Sequence, residues 1–276
     1  MSDLIDAPMS DDGAATCGKS HGSHIWYELM TSDSDGAKLF YDAVIGWDIE
    51  PAHDEIGYRM IGRSDGGTAG GVLPLGADML AHGARPAWMA YIGVDDIDRT
   101  VADVEAKGGR TLMPAHQIDQ VGRIAMVADP DGNAFYVMTP TPQADDPDAT
   151  SDVFSPTEVQ HVSWNELSTA NPDAARTFYG ELFGWTSDDF MPMGEFGDYR
   201  FFDHDGLRIG ALCGVMPGGS GGWRYYIHVP SIATAVEAVK AGGGSVSVGP
   251  HEVPGGDQII IGNDPQGAEF ALVGKA

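Results

Sequence analysis

Two glutamates stand at the same place in two similar stretches of this chain. Trp26-Tyr27-Glu28-Leu29-Met30-Thr31 returns as Trp164-Asn165-Glu166-Leu167-Ser168-Thr169, 138 residues later. An acid on a half-buried strand needs a hydrogen-bonding partner, or its pKa rises. Such a group can act as a general base, or anchor a cationic or hydroxyl-bearing ligand. The plainer alternative is a structural carboxylate held by the backbone or by an arginine such as Arg59 or Arg200. Glu28 and Glu166 are the first candidates for chemistry.

The elements that position them repeat as well. Phe40-Tyr41 and Gly46-Trp47 return as Phe178-Tyr179 and Gly184-Trp185, and between positions 26 and 47 ten of 22 residues match at the same offset. A repeat of this length is a whole domain, and 276 residues suffice for two. In the first copy a strand at 24–30 leads to Asp33-Ser34-Asp35, which can cap a helix. That helix carries Ala37, Phe40, Tyr41 and Val44 on one apolar face, and Gly46 stops it. Trp47-Asp48-Ile49 opens a strand, with further strands near 57–62 and 68–74. The pattern then restarts: a strand at 88–94, the cap Asp95-Asp96-Ile97-Asp98, a helix to Lys107 and a stop at Gly108-Gly109. Strands near 110–114, 122–128 and 133–138 follow, the last two joined by the turn Asp129-Pro130-Asp131-Gly132.

The second copy matches, with a strand at 223–229, a helix at 231–241, the stop Gly242-Gly243-Gly244 and the turn Asp264-Pro265-Gln266-Gly267. The chain therefore holds four strand-helix-three-strand units in two pairs, an α+β architecture. Residues 1–22 read as a flexible tail. The domains span 23–139 and 159–274. A Pro- and Asp-rich linker joins them at 140–158.

Composition narrows the classes. Hydrophobic residues make up 42% of the chain, a normal globular share. No apolar run approaches the ~20 residues that span a bilayer. The start of the chain lacks a basic region and an apolar core, so no signal peptide is expected. Two cysteines, Cys17 and Cys213, exclude a disulfide framework and suit a reducing cytoplasm. Forty-one acids oppose 15 bases, for a net charge of −26. That surface repels nucleic acid and anionic membranes. It suits a cationic ligand or, more simply, a strongly solvated exterior.

This order of elements resembles the vicinal oxygen chelate superfamily of glyoxalase I, bleomycin resistance proteins and extradiol dioxygenases. The carriers are Phe-Tyr then Gly-Trp, the Val-Asp-Asp-Ile-Asp after the mid-repeat strand, and the closing Asp-Pro-Asp-Gly-Asn-Ala-Phe. The Trp-x-Glu-Leu-x-Thr opening is similar to tandem glyoxalase-like "hydroxylase" proteins of actinomycetes. The resemblance implies that each repeat, with its two βαβββ units, forms a cup-shaped, partly closed barrel around a cavity.

Metal-using relatives hold a divalent ion in the cup through His, Glu or Gln, and the ion chelates two substrate oxygens. Counted from neighbouring landmarks, those ligand positions fall on Trp26, Met89 and Tyr136 in the first repeat. In the second they fall on Trp164, Arg224 and Ala271. An indole has no lone pair to give. No metal and no other cofactor is therefore expected. The alternative is Fe, Mn, Ni or Zn at a non-standard site.

Strand parity fills in the walls, because alternate residues share a face. The first cup should present His24, Trp26, Glu28, Met89, Tyr91, Ala134, Tyr136 and Met138. The second should present Trp164, Glu166, Arg224, Tyr226 and His228, with Glu269 towards the other end. His228 with Glu166 and Glu269 is an unconventional metal set that strand offsets argue against. His228 with Glu166 is also a candidate acid-base pair. His116 and the pair His251-Glu252 are placed on loops at a cup edge. Phe40-Tyr41 and Trp47 read as helix-sheet core. Gly66-Gly67, Gly70-Gly71 and Gly218-Gly219-Ser220-Gly221-Gly222 lack the lysine of a phosphate loop and read as hairpin tips or a lid.

The expectation is a metal-free glyoxalase-like protein that binds a small organic molecule, planar and aromatic or cationic, in one or both cups. The alternative is an enzyme, either a lyase, isomerase or dioxygenase with an unusual metal site, or a metal-free acid-base catalyst using Glu166 and His228, or Glu28. Two complete cups in one chain make a monomer the expected state.

Overall fold

The computed structural model describes residues 21–52, 55–142 and 149–276. Nearly all of the expected tail and the middle of the expected linker lie outside them.

The first repeat runs β1 (His24–Thr31), α1 (Ser34–Ile45), β2 (Asp48–Ile49), β3 (Arg59–Gly62), β4 (Thr68–Pro74), α2 (Ala77–Ala81), β5 (Ala87–Gly93), α3 (Ile97–Ala106), β6 (Arg110–Ile118), β7 (Gly122–Ala128) and β8 (Ala134–Pro140). The second runs β9 (Val162–Thr169), α4 (Pro172–Phe183), β10 (Phe190–Pro192), β11 (Asp198–His204), β12 (Leu207–Gly214), β13 (Gly222–Ser231), α5 (Ile232–Ala241), β14 (Ser245–Glu252), β15 (Gln258–Asn263) and β16 (Glu269–Lys275). The helices begin and end where local chemistry directs. Asp33 Oδ1 accepts from the Gly36 amide at 3.0 Å, and Gly46 closes α1 at a left-handed φ of 84°.

Each repeat builds one eight-stranded sheet. The first has the order β2-β3-β4-β1-β5-β8-β7-β6, and the second the equivalent order β10-β11-β12-β9-β13-β16-β15-β14. β1 lies parallel to β4 and antiparallel to β5, and β5 is parallel to β8. β2 and β6 end the sheet without pairing to each other, so it is open rather than a closed barrel. These are two tandem α+β domains of the same topology, each two strand-helix-three-strand units in one open sheet.

The repeats share their core. One cluster joins Phe40, Tyr41 and Trp47 of the first repeat to Tyr225, Val239 and Phe270 of the second. A second joins Val104, Phe135 and Val137 to Phe178, Tyr179 and Trp185. The hydrogen bonds are reciprocal. Tyr41 Oη donates to Asp264 at 3.1 Å, and Tyr179 Oη donates to Asp129 at 3.1 Å. Thus the Phe-Tyr motif of each helix reaches the Asp-Pro-x-Gly turn of the other repeat. The motif, read from the sequence as helix-sheet core, also joins one repeat to the other. Residues 149–158 lie against this assembly, with Val153 buried and Ser151 Oγ donating to the Ile25 carbonyl at 2.8 Å.

Three placements differ from the parity and turn readings. His24 faces the shared core, not the first cup. A bulge between His24 and Trp26 breaks the two-residue alternation of β1. The imidazole stacks 5.3 Å from Trp185 and 6.0 Å from Tyr27. Gly70-Gly71 is no hairpin tip but lies within β4, and His116 and His251-Glu252 lie on the edge strands β6 and β14, not on loops. Those strands run several residues past their apolar cores because ladder pairing, not side-chain pattern, sustains them.

Candidate functional site

The same polar constellation sits in both cups. In the first, Trp26 Nε1 donates to Tyr58 Oη at 2.9 Å, and Tyr91 Oη donates to Glu28 Oε2 at 3.1 Å. Tyr136 stacks on Tyr91 with ring centres 4.2 Å apart. In the second, Trp164 Nε1 donates to Tyr199 Oη at 2.8 Å, and Tyr199 Oη donates to Glu166 Oε2 at 2.8 Å. Tyr226 Oη reaches Glu166 Oε1 at 3.4 Å. Each glutamate is therefore held by tyrosines, with a tryptophan fixing one of them.

Sequence reasoning missed Tyr58 and Tyr199. The signal was a repeated Tyr-Arg pair, Tyr58-Arg59 and Tyr199-Arg200, at an offset of 141 rather than 138. Inserted residues between the first helix and that strand hid the correspondence. Gly71 makes room for Tyr58, since a Cβ there would lie 2.0 Å from the phenol oxygen. Arg59 and Arg200, proposed as partners of the glutamates, pair instead with Asp35 and Asp198.

The cups differ at three positions around the glutamate. Strand register makes the equivalences direct. Glu28 lies opposite Met89, and Met30 beside Leu73. Glu166 lies opposite Arg224, and Ser168 beside Cys213. In the first cup Met30, Leu73, Met89, Tyr91, Tyr136 and Met138 pack into one apolar cluster. Met79 of the short helix α2 adds to it. In the second cup the smaller Ser168 and Cys213 leave a cavity of about 180 Å³, walled also by Glu166, Tyr199, Arg224, Met193, Met216, Gly219 and Ser220. The glycine-rich connection 215–221 stands where α2 covers the first cup.

Arg224 organises the second cup. Its Nη1 donates to Glu166 Oε1 at 2.8 Å, and its Nε to Glu269 Oε1 at 2.9 Å. Burial opposes its charge, but Tyr226, Glu269 and Glu166 outweigh that and raise its pKa. Cys213 is pushed up to about 11, by burial first and then by the Glu166 charge, so its thiol stays protonated at neutral pH. Glu28, which lies opposite Met89 where Glu166 lies opposite Arg224, rises to about 7 because burial outweighs the hydrogen bonds from Tyr91 and Tyr58.

His228 does not join Glu166. It lies four residues along β13 from Arg224, roughly 13 Å at strand spacing, and level with Val273. Glu269 does converge on Glu166, through Arg224 between them. Among the described residues no three His, Cys, Asp or Glu side chains gather into a metal-holding group. The positions to which the resemblance assigns metal ligands carry two tryptophans whose N–H groups are already donated, a methionine, a tyrosine, an arginine and an alanine. That donor set does not fit a hard or borderline divalent ion.

Two open eight-stranded cups, each of two βαβββ units and each carrying a glutamate at its floor, define a duplicated cup-fold protein. The chain belongs to the Glyoxalase/Bleomycin resistance protein/Dioxygenase superfamily, whose family model matches residues 24–137 and 158–272. It is 31% identical over 260 residues to CFP32 of Mycobacterium tuberculosis, a protein named provisionally as a glyoxylase; the match covers 92% of this chain and 95% of that one. It is 28% identical over 274 residues to the anthracycline biosynthesis protein DnrV of Streptomyces peucetius, covering 91% and 93%. Among solved structures, the Mn(II)-bound glyoxalase from Novosphingobium aromaticivorans superposes with a TM-score of 0.61 at 18% identity, covering 94% of this chain and 83% of that one. The 2,3-dioxygenase LapB from Pseudomonas sp. KL28 gives 0.57 at 15%, covering 92% of each. These likenesses establish the fold.

Proposed function

We propose that the protein binds a small organic molecule in its second cup, without a family-type metal. The observation that carries this reading is the contrast between the cups. At equivalent positions the first is filled by Met30, Leu73 and Met89, whereas the second is opened by Ser168 and Cys213 and floored by Arg224 on Glu166.

The size and lining of the cavity support one class of ligand. An apolar cavity of about 150 Å³ accepts a benzene ring, so about 180 Å³ suits one substituted ring. Met193, Met216 and Tyr199 offer soft, polarisable walls to its apolar body. Arg224 and Ser168 offer hydrogen bonds to a carbonyl or hydroxyl group at its polar end. Phe190, Met191, Phe196 and Val215 are exposed close in sequence to the lining residues Met193 and Met216 and would extend the apolar contact. The names of the relatives, a glyoxylase and an anthracycline biosynthesis protein, also point to small organic molecules. The shared core between repeats supports a monomer, because each cup is completed within one chain.

The test is titration of a panel of singly ringed ketones and phenols into the full-length protein, followed by tryptophan fluorescence. Saturable binding should vanish in Cys213→Leu and Ser168→Met, which copy the filled cup. Binding unchanged in both variants would refute the site. Stoichiometric Fe, Mn, Ni or Zn in the purified protein would refute the metal-free part.

A further inference from the structure

Arg224 is a wall of two cavities. Besides the cup cavity, it lines a space of about 200 Å³ at the seam between the repeats. Pro86 and Trp88 of the first repeat form one side of that space, and Trp223, Gly267 and Glu269 of the second form the other. Glu166 lines only the cup cavity and Glu269 only the seam cavity. Arg224 is bonded to both, through Nη1 to Glu166 at 2.8 Å and through Nε to Glu269 at 2.9 Å. Its guanidinium is therefore the partition between the two spaces.

The two bonds of the partition are unequal. The side chains of Arg224 and Glu166 are 17% and 13% exposed, whereas that of Glu269 is 41% exposed. An ion pair open to water contributes little, and a buried one is costly to break. The Arg224–Glu269 contact is thus the one that a ligand can replace, with Arg224 still held on Glu166. The first repeat has neither member of that contact: Met89 lies opposite its glutamate, and its last strand opens on Ala134 where β16 opens on Glu269. The lining sets the chemistry of the seam cavity. Trp88 Nε1 already donates to Tyr41, and Trp223 Nε1 to Tyr179, so both rings offer only apolar surface. Glu269 offers a carboxylate, which accepts hydrogen bonds and attracts positive charge. Glu166 and Glu269 share a single guanidinium, so a further cation is favoured there. The volume again suits one ring.

We propose that the seam cavity is the second half of the second-cup site, and that the ligand is a two-ring molecule whose outer ring carries an amine. This rests on the second-cup reading above and extends it. The aromatic ketone or phenol ring occupies the cup. The outer ring passes Arg224 and lies against Pro86 and Trp223. Its amine donates to Glu269 in place of Arg224 Nε, and Arg224 stays on Glu166.

The experiment is calorimetric titration of acetophenone, para-morpholinoacetophenone and para-piperazinylacetophenone into the full-length protein. The first probe fills only the cup. The second adds a ring without an N–H donor, and the third places a protonated amine at the far end of that ring. Affinity should rise about tenfold with the added ring, and about fivefold more with the amine. Glu269→Gln should erase the amine step. Pro86→Phe, which narrows the seam cavity from the first repeat, should erase the ring step. Acetophenone binding without either step would overturn the proposal and leave the second-cup reading standing, whereas no binding by any probe would overturn both. An amine step that survives in Glu269→Gln, or a ring step that survives in Pro86→Phe, would also overturn it.

Discussion

Tyr27 Oη donates to Asn165 Oδ1 at 2.8 Å, so the two copies of a single repeat position hydrogen-bond to each other. Both side chains are buried, and Asn165 Nδ2 donates onward to the Ile209 carbonyl at 2.7 Å. Asn165→Ala would strand both groups and should destabilise the protein by about 1–3 kcal/mol. Because the core runs through both repeats, differential scanning calorimetry should show one cooperative transition, shifted downward as a whole. Two separable transitions would contradict the shared core.

Glu28 makes stability depend on pH in an unusual direction. Its folded pKa, about 7, lies above the ordinary 4.5, because burial disfavours the charge. The folded state therefore holds its proton more tightly than the unfolded state. The associated stability is fully present below pH 4.5 and is lost as pH rises towards 7, by up to about 3 kcal/mol. Glu28→Gln should remove that loss and be the more stable form near pH 8, measured by urea denaturation across pH.

His24 acts in the opposite sense. Burial first, and the neighbouring His204 charge second, lower its pKa from 6.5 to about 3. Neither ring nitrogen has a hydrogen-bond partner. The unfolded chain takes up the proton sooner, so stability falls as pH drops from 6.5 towards 3, by about 1.4 kcal/mol per pH unit. His24→Leu should flatten this acid limb without lowering stability at neutral pH. A mutant with an unchanged acid limb would show that other groups carry it.

Gly71 tests the Trp26–Tyr58–Glu28 network. A Cβ there lies 2.0 Å from Tyr58 Oη, so Gly71→Ala must push the ring away. The expected loss is about 1–3 kcal/mol. The Glu28 pKa should rise further, because the Tyr58 hydrogen bond holds it down. A titration of Glu28 by carboxyl NMR checks this; an unmoved pKa would show that Tyr58 does not act on it.

Much of the architecture was legible because its signals are local. Asp33 and Gly46 delimit α1 through their own side-chain and backbone chemistry. Alternation placed Trp26, Glu28, Tyr91 and Tyr136 on one face of their strands, and the structure gathers them there. His24 broke the same rule, because a bulge inserts one residue and the face changes. The short helix α2 carried no apolar periodicity over its five residues and went unread.

The amino-acid sequence alone determined that this protein is a duplication, that each copy is two strand-helix-three-strand units, and that each copy carries an inward glutamate on its first strand. Those properties reside in repeats and periods along the chain. Tertiary structure decided which groups meet those glutamates. Tyr58, just ahead of β3, and Tyr199 of β11 come to them, Glu269 reaches Glu166 only through Arg224, and His228 is held away. It also decided that one cup is filled and the other open. Cavity volume depends on how Met30, Leu73 and Met89, or Ser168, Cys213 and Arg224, pack together across three strands. No one stretch of chain contains that information.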